Sequence, residues 1–393
     1  MVATAPTQVM QGIVVPASSV NPPEFFKRTR RLTFPFATGK AFAGLGNTDT
    51  ISLLQTGIIA GIVIRLTGSI VVTLGGGTCA TTGRWPYDLA KRVRLSANGQ
   101  SNLINCSGWK LRARDMMALE NMTDHGVAQS ISNATVNTGS LALASDTWGV
   151  GQLQTGIAGA PTTFPFDFQL YVPVAFDRKN LTGAIFAQTA STDLALAIDW
   201  ANSTDLFALT GAATAVVSCN ITAEAIAFSI PEVNGQIVVP DLSVFHGLIE
   251  NRVVPGGTGD LETKLVGQGV GRQLMRLYWQ TWNGAIGVAA PLALTDTNYG
   301  QCLWRFGGND TPEQYPGARS LRQQQERIFG SDLGGAQGFG VFDFATESAF
   351  RDSVDEGAAT ELRFLVNYNS GLTLTNPSLE YVQETLFSGA TGA

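Results

Sequence analysis

The sequence is short of charge. Only 14% of its 393 residues are Asp, Glu, Lys or Arg, against about a quarter in an ordinary soluble domain. Its surface is therefore not dressed with salt-bridged helices and must include broad uncharged or occluded areas. The formal net charge of −6 also excludes a general electrostatic attraction to nucleic acid, leaving only local basic patches to consider. Cysteine is equally sparse: Cys79, Cys106, Cys219 and Cys302 lie far apart with no CxxC pair. This excludes a disulfide framework and a zinc ribbon and leaves buried thiols.

Catalytic signatures are missing too. The only histidines are His125 and His246, neither at ligand spacing from a cysteine or carboxylate, so no metal site is expected. There is no GxSxG elbow, and Gly39-Lys40 runs into Ala41 without the preceding glycine of a phosphate-binding loop. "GQGVGRQ" is not a dinucleotide fingerprint. No pair of carboxylates stands out for glycoside hydrolysis. The reading is of no catalytic residues, no cofactor and no metal. The N-terminus lacks the basic start and apolar core of a secretory signal. One apolar run, "GIIAGIVIRLTGSIVVTLGGG" from Gly57, approaches membrane-span length, but Arg65 sits inside it. Its β-branched residues, with Gly68-Ser69 as a turn, predict two buried strands instead.

What is abundant points one way. Forty-four glycines, with Thr, Ser, Asn and Val throughout, favour short strands and tight turns, an all-β chain. The length suits two cores. Residues 1–26 carry Pro6, Pro16, Pro22 and Pro23 without periodicity, predicting an extended arm. Lys27, Arg28, Arg30 and Arg31 follow as the densest basic cluster, the candidate contact with an anionic surface such as lipid head groups or with a lattice neighbour. Residues 27–231 then read as a first sandwich, 232–259 as a linker whose "DLSVFHGLIEN" forms a short amphipathic helix, 260–387 as a second sandwich and 388–393 as a tail.

Three helices are expected inside the sandwiches. "SGWKLRARDMMALENM" is capped by Ser107, "DTPEQYPGARSLRQQQERIFG" starts at Asp310 or Thr311 and stops at Gly330, and a short helix lies within "VPVAFDRKNLTGAIFAQ", starting near Asn180. The small, polar stretch 125–163 suits a long surface loop.

An internal repeat ties the halves together. "TDLALAIDW" from Thr192 aligns with "TELRFLVNY" from Thr360, so that Leu194, Leu196, Ile198 and Trp200 match Leu362, Phe364, Val366 and Tyr368. The offset, 361 − 193 = 168 residues from Asp193 to Glu361, is the size of one sandwich, so two similar sandwiches in tandem are expected. Phe176-Asp177 and Phe342-Asp343 precede the two copies in the same way.

Three segments, "YVPVAFDRKNLTGAIFAQ" from Tyr171, "RVRLSANGQSNLINCSGWKL" from Arg92 and "PDLSVFHGLIEN" from Pro240, resemble the double jelly-roll major capsid proteins of tailless, internal-membrane phages of the tectivirus type. The resemblance spans both halves and is more specific in the first. It implies two tandem eight-stranded jelly rolls and a homotrimeric, nearly hexagonal block of an icosahedral shell. It implies as partners the chain itself, neighbouring capsid trimers, penton and minor capsid proteins, and an internal lipid membrane touched by the arm, with no sequence-specific nucleic acid. The expected place is the virion, after synthesis in the host cytoplasm. The competing readings are a carbohydrate-binding β-sandwich protein, secreted or on a virion surface, and a β-sandwich glycoside hydrolase.

Overall fold

A computed structural model describes residues 9–10, 13–14, 18–19, 22–53, 55–81, 84–97, 100–118, 140–143, 151–154, 161–177, 179–188, 194–233, 236–267, 271–284, 290–306, 310–330, 332–335, 337–345, 353–357 and 361–388. The chain divides into two compact units, the first ending at His246 and the second beginning at Gly247, with residues 117–121 grouped with the second.

The first unit opens with helix α1 (Pro22–Phe26). Eight principal strands follow: β1 (Arg31–Ala41), β2 (Thr48–Ser52), β3 (Ile58–Thr73), β4 (Ala90–Ala97), β5 (Gln100–Cys106), β6 (Thr162–Val172), β7 (Leu194–Trp200) and β8 (Thr214–Phe228). Helix α2 (Gly108–Ala118) follows β5, and the single turn α3 (Ser203–Leu206) follows β7. One sheet has the order β1-β8-β3-β6 and the other β2-β7-β4-β5, all antiparallel. This is the jelly-roll interleaving, in which strands distant in sequence lie side by side. The core follows from period-2 alternation: Ile62, Ile64, Leu66, Ile70 and Val72 point inward from β3 and meet Phe164, Phe166, Phe168 and Leu170 of β6 on the same buried side.

The second unit repeats the plan with β9 (Val244–Val253), β10 (Gly259–Lys264), β11 (Arg272–Asn283), β12 (Tyr299–Phe306), β13 (Asp310–Tyr315), β14 (Phe339–Asp343), β15 (Arg363–Tyr368) and β16 (Ser378–Ser388). Helix α4 (Ala318–Phe329) lies between β13 and β14. The sheets run β9-β16-β11-β14 and β10-β15-β12-β13, the same two orders. The chain is thus a double jelly roll. The sequence repeat falls on β7 and β15, each the seventh strand of its roll, and all eight matched apolar residues are buried.

Several local expectations are corrected. Among the described residues between Val172 and Phe186 there is no helix: Asp177 accepts bonds from the Lys179 amide (2.8 Å) and from Asn180 Nδ2 (2.7 Å), and Leu181 takes φ 57°. Asn180 therefore serves a carboxylate-bridged turn and starts no helix. The echo expected after Phe344 lies outside the described residues, as does most of the stretch 125–163 and of the arm. The linker helix is strand β9. Asp241, which reads as a helix cap, accepts from the Ser243 amide at 2.9 Å and closes a turn that releases Val244 and Phe245 into extended chain. The helix expected from Asp310 begins only at Ala318, because Pro316 biases Tyr315 towards extended backbone and 310–315 pairs with β12. Its end at Gly330 is as expected, in the left-handed conformation with its amide donating to Glu326 O.

Gly68 is not a turn. The run from Ile58 is one strand of 16 residues, and a Cβ at Gly68 would stand 1.9 Å from Ser218 O. The glycine is there to let β8 approach. No described helix is long and apolar enough to cross a membrane.

Candidate contact surface at the arm-roll junction

Lys27, Arg28, Arg30 and Arg31 occupy the junction between α1 and β1, and the way the chain is fastened there decides what they can touch. Pro22 and Pro23 open the helix, where a missing N–H costs nothing, and Glu24 sits in its first turn against the positive helix end. Five residues do not sustain a helix by propensity. Packing holds it: Phe25 is fully buried among Ile58, Ala60, Ala175, Leu181, Val239 and Leu242. Phe25 and Phe26 also meet Phe228 edge-on, at centroid distances of 6.3 and 5.5 Å.

Beyond the plug the backbone is pinned. The Thr29 hydroxyl donates to Ser229 O, the Arg30 amide to Ser229 Oγ at 2.9 Å, and the Ser229 amide to Arg30 O at 2.9 Å. Arg31 then enters β1 opposite Phe228. Upstream, Ser18–Ser19 runs parallel to Val238–Val239.

All four basic side chains are exposed. Lys27 Nζ lies 2.7 Å from Glu24 Oε1 and Arg28 Nη2 3.8 Å from Glu24 Oε2. The hydrogen bond from Lys27, with its charge, holds the Glu24 carboxyl below its usual range. At such exposure these pairs add little to stability. Among the described residues no acidic side chain pairs with Arg30 or Arg31. Four cations against one anion leave a positive patch on a negative protein, with Arg30 and Arg31 its uncompensated members. The arrangement can attract an anionic surface; it has nothing to cleave or transfer.

Sequence reasoning found the cations and missed Phe25, the residue that fixes where they stand. The only signal was Pro22-Pro23 followed by two aromatics, too short for any periodicity.

The remaining candidate chemistry is structural. His246 is buried, its Nδ1 2.7 Å from Pro173 O and its ring against Phe176; His125 lies outside the described residues. The four cysteines are buried thiols outside any disulfide. Burial pushes the Cys79 thiol up to about 11 and those of Cys219 and Cys302 to about 12, so none of these three is a ready thiolate. Among the described residues no three His, Cys, Asp or Glu side chains could hold a metal ion together.

Comparison with known proteins fits this picture. The chain resembles in fold the STIV major capsid protein, with a TM-score of 0.63 at 13% identity over 92% of this chain and 97% of that one. It likewise resembles the capsid protein of the PBCV-1 virus (TM-score 0.55, 13% identity, 93% and 96% covered) and the Faustovirus major capsid protein (0.55, 10%, 92% and 90%). No curated protein matches it in sequence. The family model of the P3 major capsid protein N-terminal region matches residues 7–240, the whole first roll and most of the arm before it. With more than half its length under that match, the chain belongs to the P3 major capsid protein family and is a viral major capsid protein built as a double jelly roll.

Proposed function

We propose that the chain acts as a homotrimer, three copies supplying six jelly rolls that tile an icosahedral shell over an internal membrane. The observation that carries this reading is the pair of rolls with one topology in a single chain. Three such chains in a closed threefold ring present six similar blocks, and a closed ring uses up interacting surface without growing into fibres. Low charge supports the same reading, since permanent subunit contacts are relatively apolar.

In this reading the chain is non-enzymatic and works in the virion after synthesis in the host cytoplasm. Its partners are neighbouring trimers, penton and minor capsid proteins and, through residues 1–26 and the cluster at Lys27, Arg28, Arg30 and Arg31, the lipid head groups beneath. The exposure of those four side chains supports the last point. Light scattering on the purified chain tests the assembly: a stable species of about three chain masses is expected, and a monomer that binds an oligosaccharide would overturn it. Replacing Arg28, Arg30 and Arg31 by Ser should leave trimers intact and lower the lipid content of particles; unchanged lipid content would remove the membrane from the reading.

A further inference from the structure

Helix α4 buries one stripe at helical spacing, Ala318, Leu321, Gln325 and Phe329. Three of the four are apolar. Gln325 is only 1% exposed, and a buried amide must find partners. It finds them on the edge of β14. With the amide oriented so that both its ends are satisfied, Nε2 donates to Phe339 O at 3.0 Å and Oε1 accepts from the Val341 amide.

Those two backbone groups are the ones a next strand would take. Among the described residues β14 pairs with no strand but β11. The Phe344 amide donates to Met275 O, on the β11 side. Alternation along the strand then turns the N–H and C=O of Phe339, Val341 and Asp343 away from β11. On that outer side the Phe339 amide donates to Leu333 O at 3.1 Å. The Gln325 side chain, with one donor and one acceptor in use, stands where the peptide group of a further strand would stand.

The edge is one that needs a cover. "FGVFDFA" from Phe339 has no proline and a single charge, Asp343, which Arg276 holds. This is the composition of a segment that pairs with copies of itself. Strand β6, the last of its sheet in the first roll, carries Pro165, a residue that blunts edge strands. β14 has no such residue and has α4 instead. The helix is also attached as a separate piece: Gly317 precedes it, Gly330 ends it, and Arg322 Nε clasps Asp332 Oδ1 beyond it at 2.8 Å.

We propose that α4 is an autoinhibitory cover, in which Gln325 occupies the outer edge of β14 and keeps it from pairing with β14 of a second copy of this chain. Two such edges set antiparallel are self-complementary, so uncovering them joins two second rolls through one continuous sheet. The inference does not rest on the homotrimer reading.

The test uses the full chain. Gln325→Leu keeps the apolar packing of α4 and removes both bonds. Hydrogen exchange resolved to single amides by mass spectrometry should then show Val341 exchanging at least about tenfold faster than in wild type, with Gly340 and Phe342, which face β11, as protected as before. Sedimentation velocity over a dilution series should show a concentration-dependent species that wild type lacks. Adding Val341→Pro, which withdraws the outward N–H and leaves the ladder to β11 whole, should abolish that species. Where Gln325→Leu does not fold, Arg322→Ala loosens α4 through the Asp332 clasp and should produce the same two changes. Unchanged exchange at Val341 in the folded variant would remove Gln325 from the edge. Faster exchange with no new species would show that the edge needs no cover, and a new species that Val341→Pro leaves in place would put the association elsewhere. Each of these results overturns the proposal.

Discussion

The indole Nε1–H of Trp200 donates to Asp49 Oδ2 at 2.8 Å, joining the end of β7 to β2 inside the first roll. The same carboxylate accepts from the Ala43 amide at 2.7 Å and pairs with Lys40 Nζ at 2.8 Å. Burial alone would raise the Asp49 pKa, but the bonds from Lys40, Ala43 and Trp200 outweigh it and hold the carboxyl below its usual range. A depressed folded-state pKa gives stability that is present above the unfolded value and is lost as pH falls through the folded one.

Asp49→Asn should therefore cost about 2 kcal/mol near neutral pH, the worth of hydrogen bonds to a buried charge. The difference from wild type should shrink towards zero in acid. Urea unfolding at about pH 7 and about pH 3 checks both parts. A penalty that persists unchanged in acid would show that shape and not charge is at stake.

The second roll has a costlier arrangement. Arg276 stands opposite both Asp343 and Glu384 in register, its Nε 3.2 Å from Asp343 Oδ1 and its Nη1 3.0 Å from Glu384 Oε2, all three side chains at most 7% exposed. Such a triad gains little over an apolar core, yet removing its cation strands two buried carboxylates. Arg276→Met should cost about 3–5 kcal/mol. The double change Arg276→Met with Glu384→Gln should cost less than the single one. Calorimetric melting of the three proteins decides it, and a single variant no worse than the double would refute the account.

Much of this fold could be read from residues alone because its signals are periodic. The alternation is strict in β7 and broken in β15 only by the buried Leu365, so the repeat marked the same strand in each roll, and Trp200 and Tyr368 end them alike: Trp200 on Asp49, Tyr368 with its hydroxyl 2.9 Å from Thr281 Oγ1. Short polar segments were misread because caps are ambiguous. Asn180 and Asp241 are good helix starters, and both serve turns, Asn180 by donating to Asp177 and Asp241 by accepting from the Ser243 amide. Gly68 looked like punctuation because sequence does not reveal that Ser218 O lies against it. The four cations were legible as a charge run, but their anchor, Phe25, depends on side chains up to Leu242 that only the folded chain brings together.

Glu356 gives a pH dependence of the opposite sign to Asp49. Its residue is 3% exposed, and its Oε1 has no hydrogen-bond partner among the described residues. Burial raises its pKa to about 7, with Arg272 opposing and the neighbouring Asp355 reinforcing the shift. A carboxyl with a raised folded-state pKa is stabilising while protonated, so its contribution is complete below the unfolded value and falls away as pH rises to about 7. Glu356→Gln should flatten that fall and stabilise the chain by about 2–3 kcal/mol above neutrality. Chemical unfolding between about pH 5 and about pH 8 measures it; a variant that tracks wild type at both ends would contradict the assignment.

Phe25 fastens the chain from Pro22 onward to the first roll. Residues 22–30 are not loose chain: the ring fills a closed site, and the Thr29 and Arg30 bonds to Ser229 continue the attachment into β1. Peptide bonds after Lys27, Arg28, Arg30 and Arg31 are therefore protected from trypsin in spite of exposed side chains, because cleavage needs the backbone to open locally. Emptying the site with Phe25→Ala removes about 3–5 kcal/mol of packing from this one attachment. The expected result is tryptic cleavage at the junction at least about tenfold faster than in wild type, with the remainder of the first roll as resistant as before. Mass spectrometry of timed digests reads both. Equal rates in the two proteins would mean that the Ser229 bonds alone hold the junction, and cleavage throughout the roll would mean that Phe25 belongs to the core and not to a separable anchor.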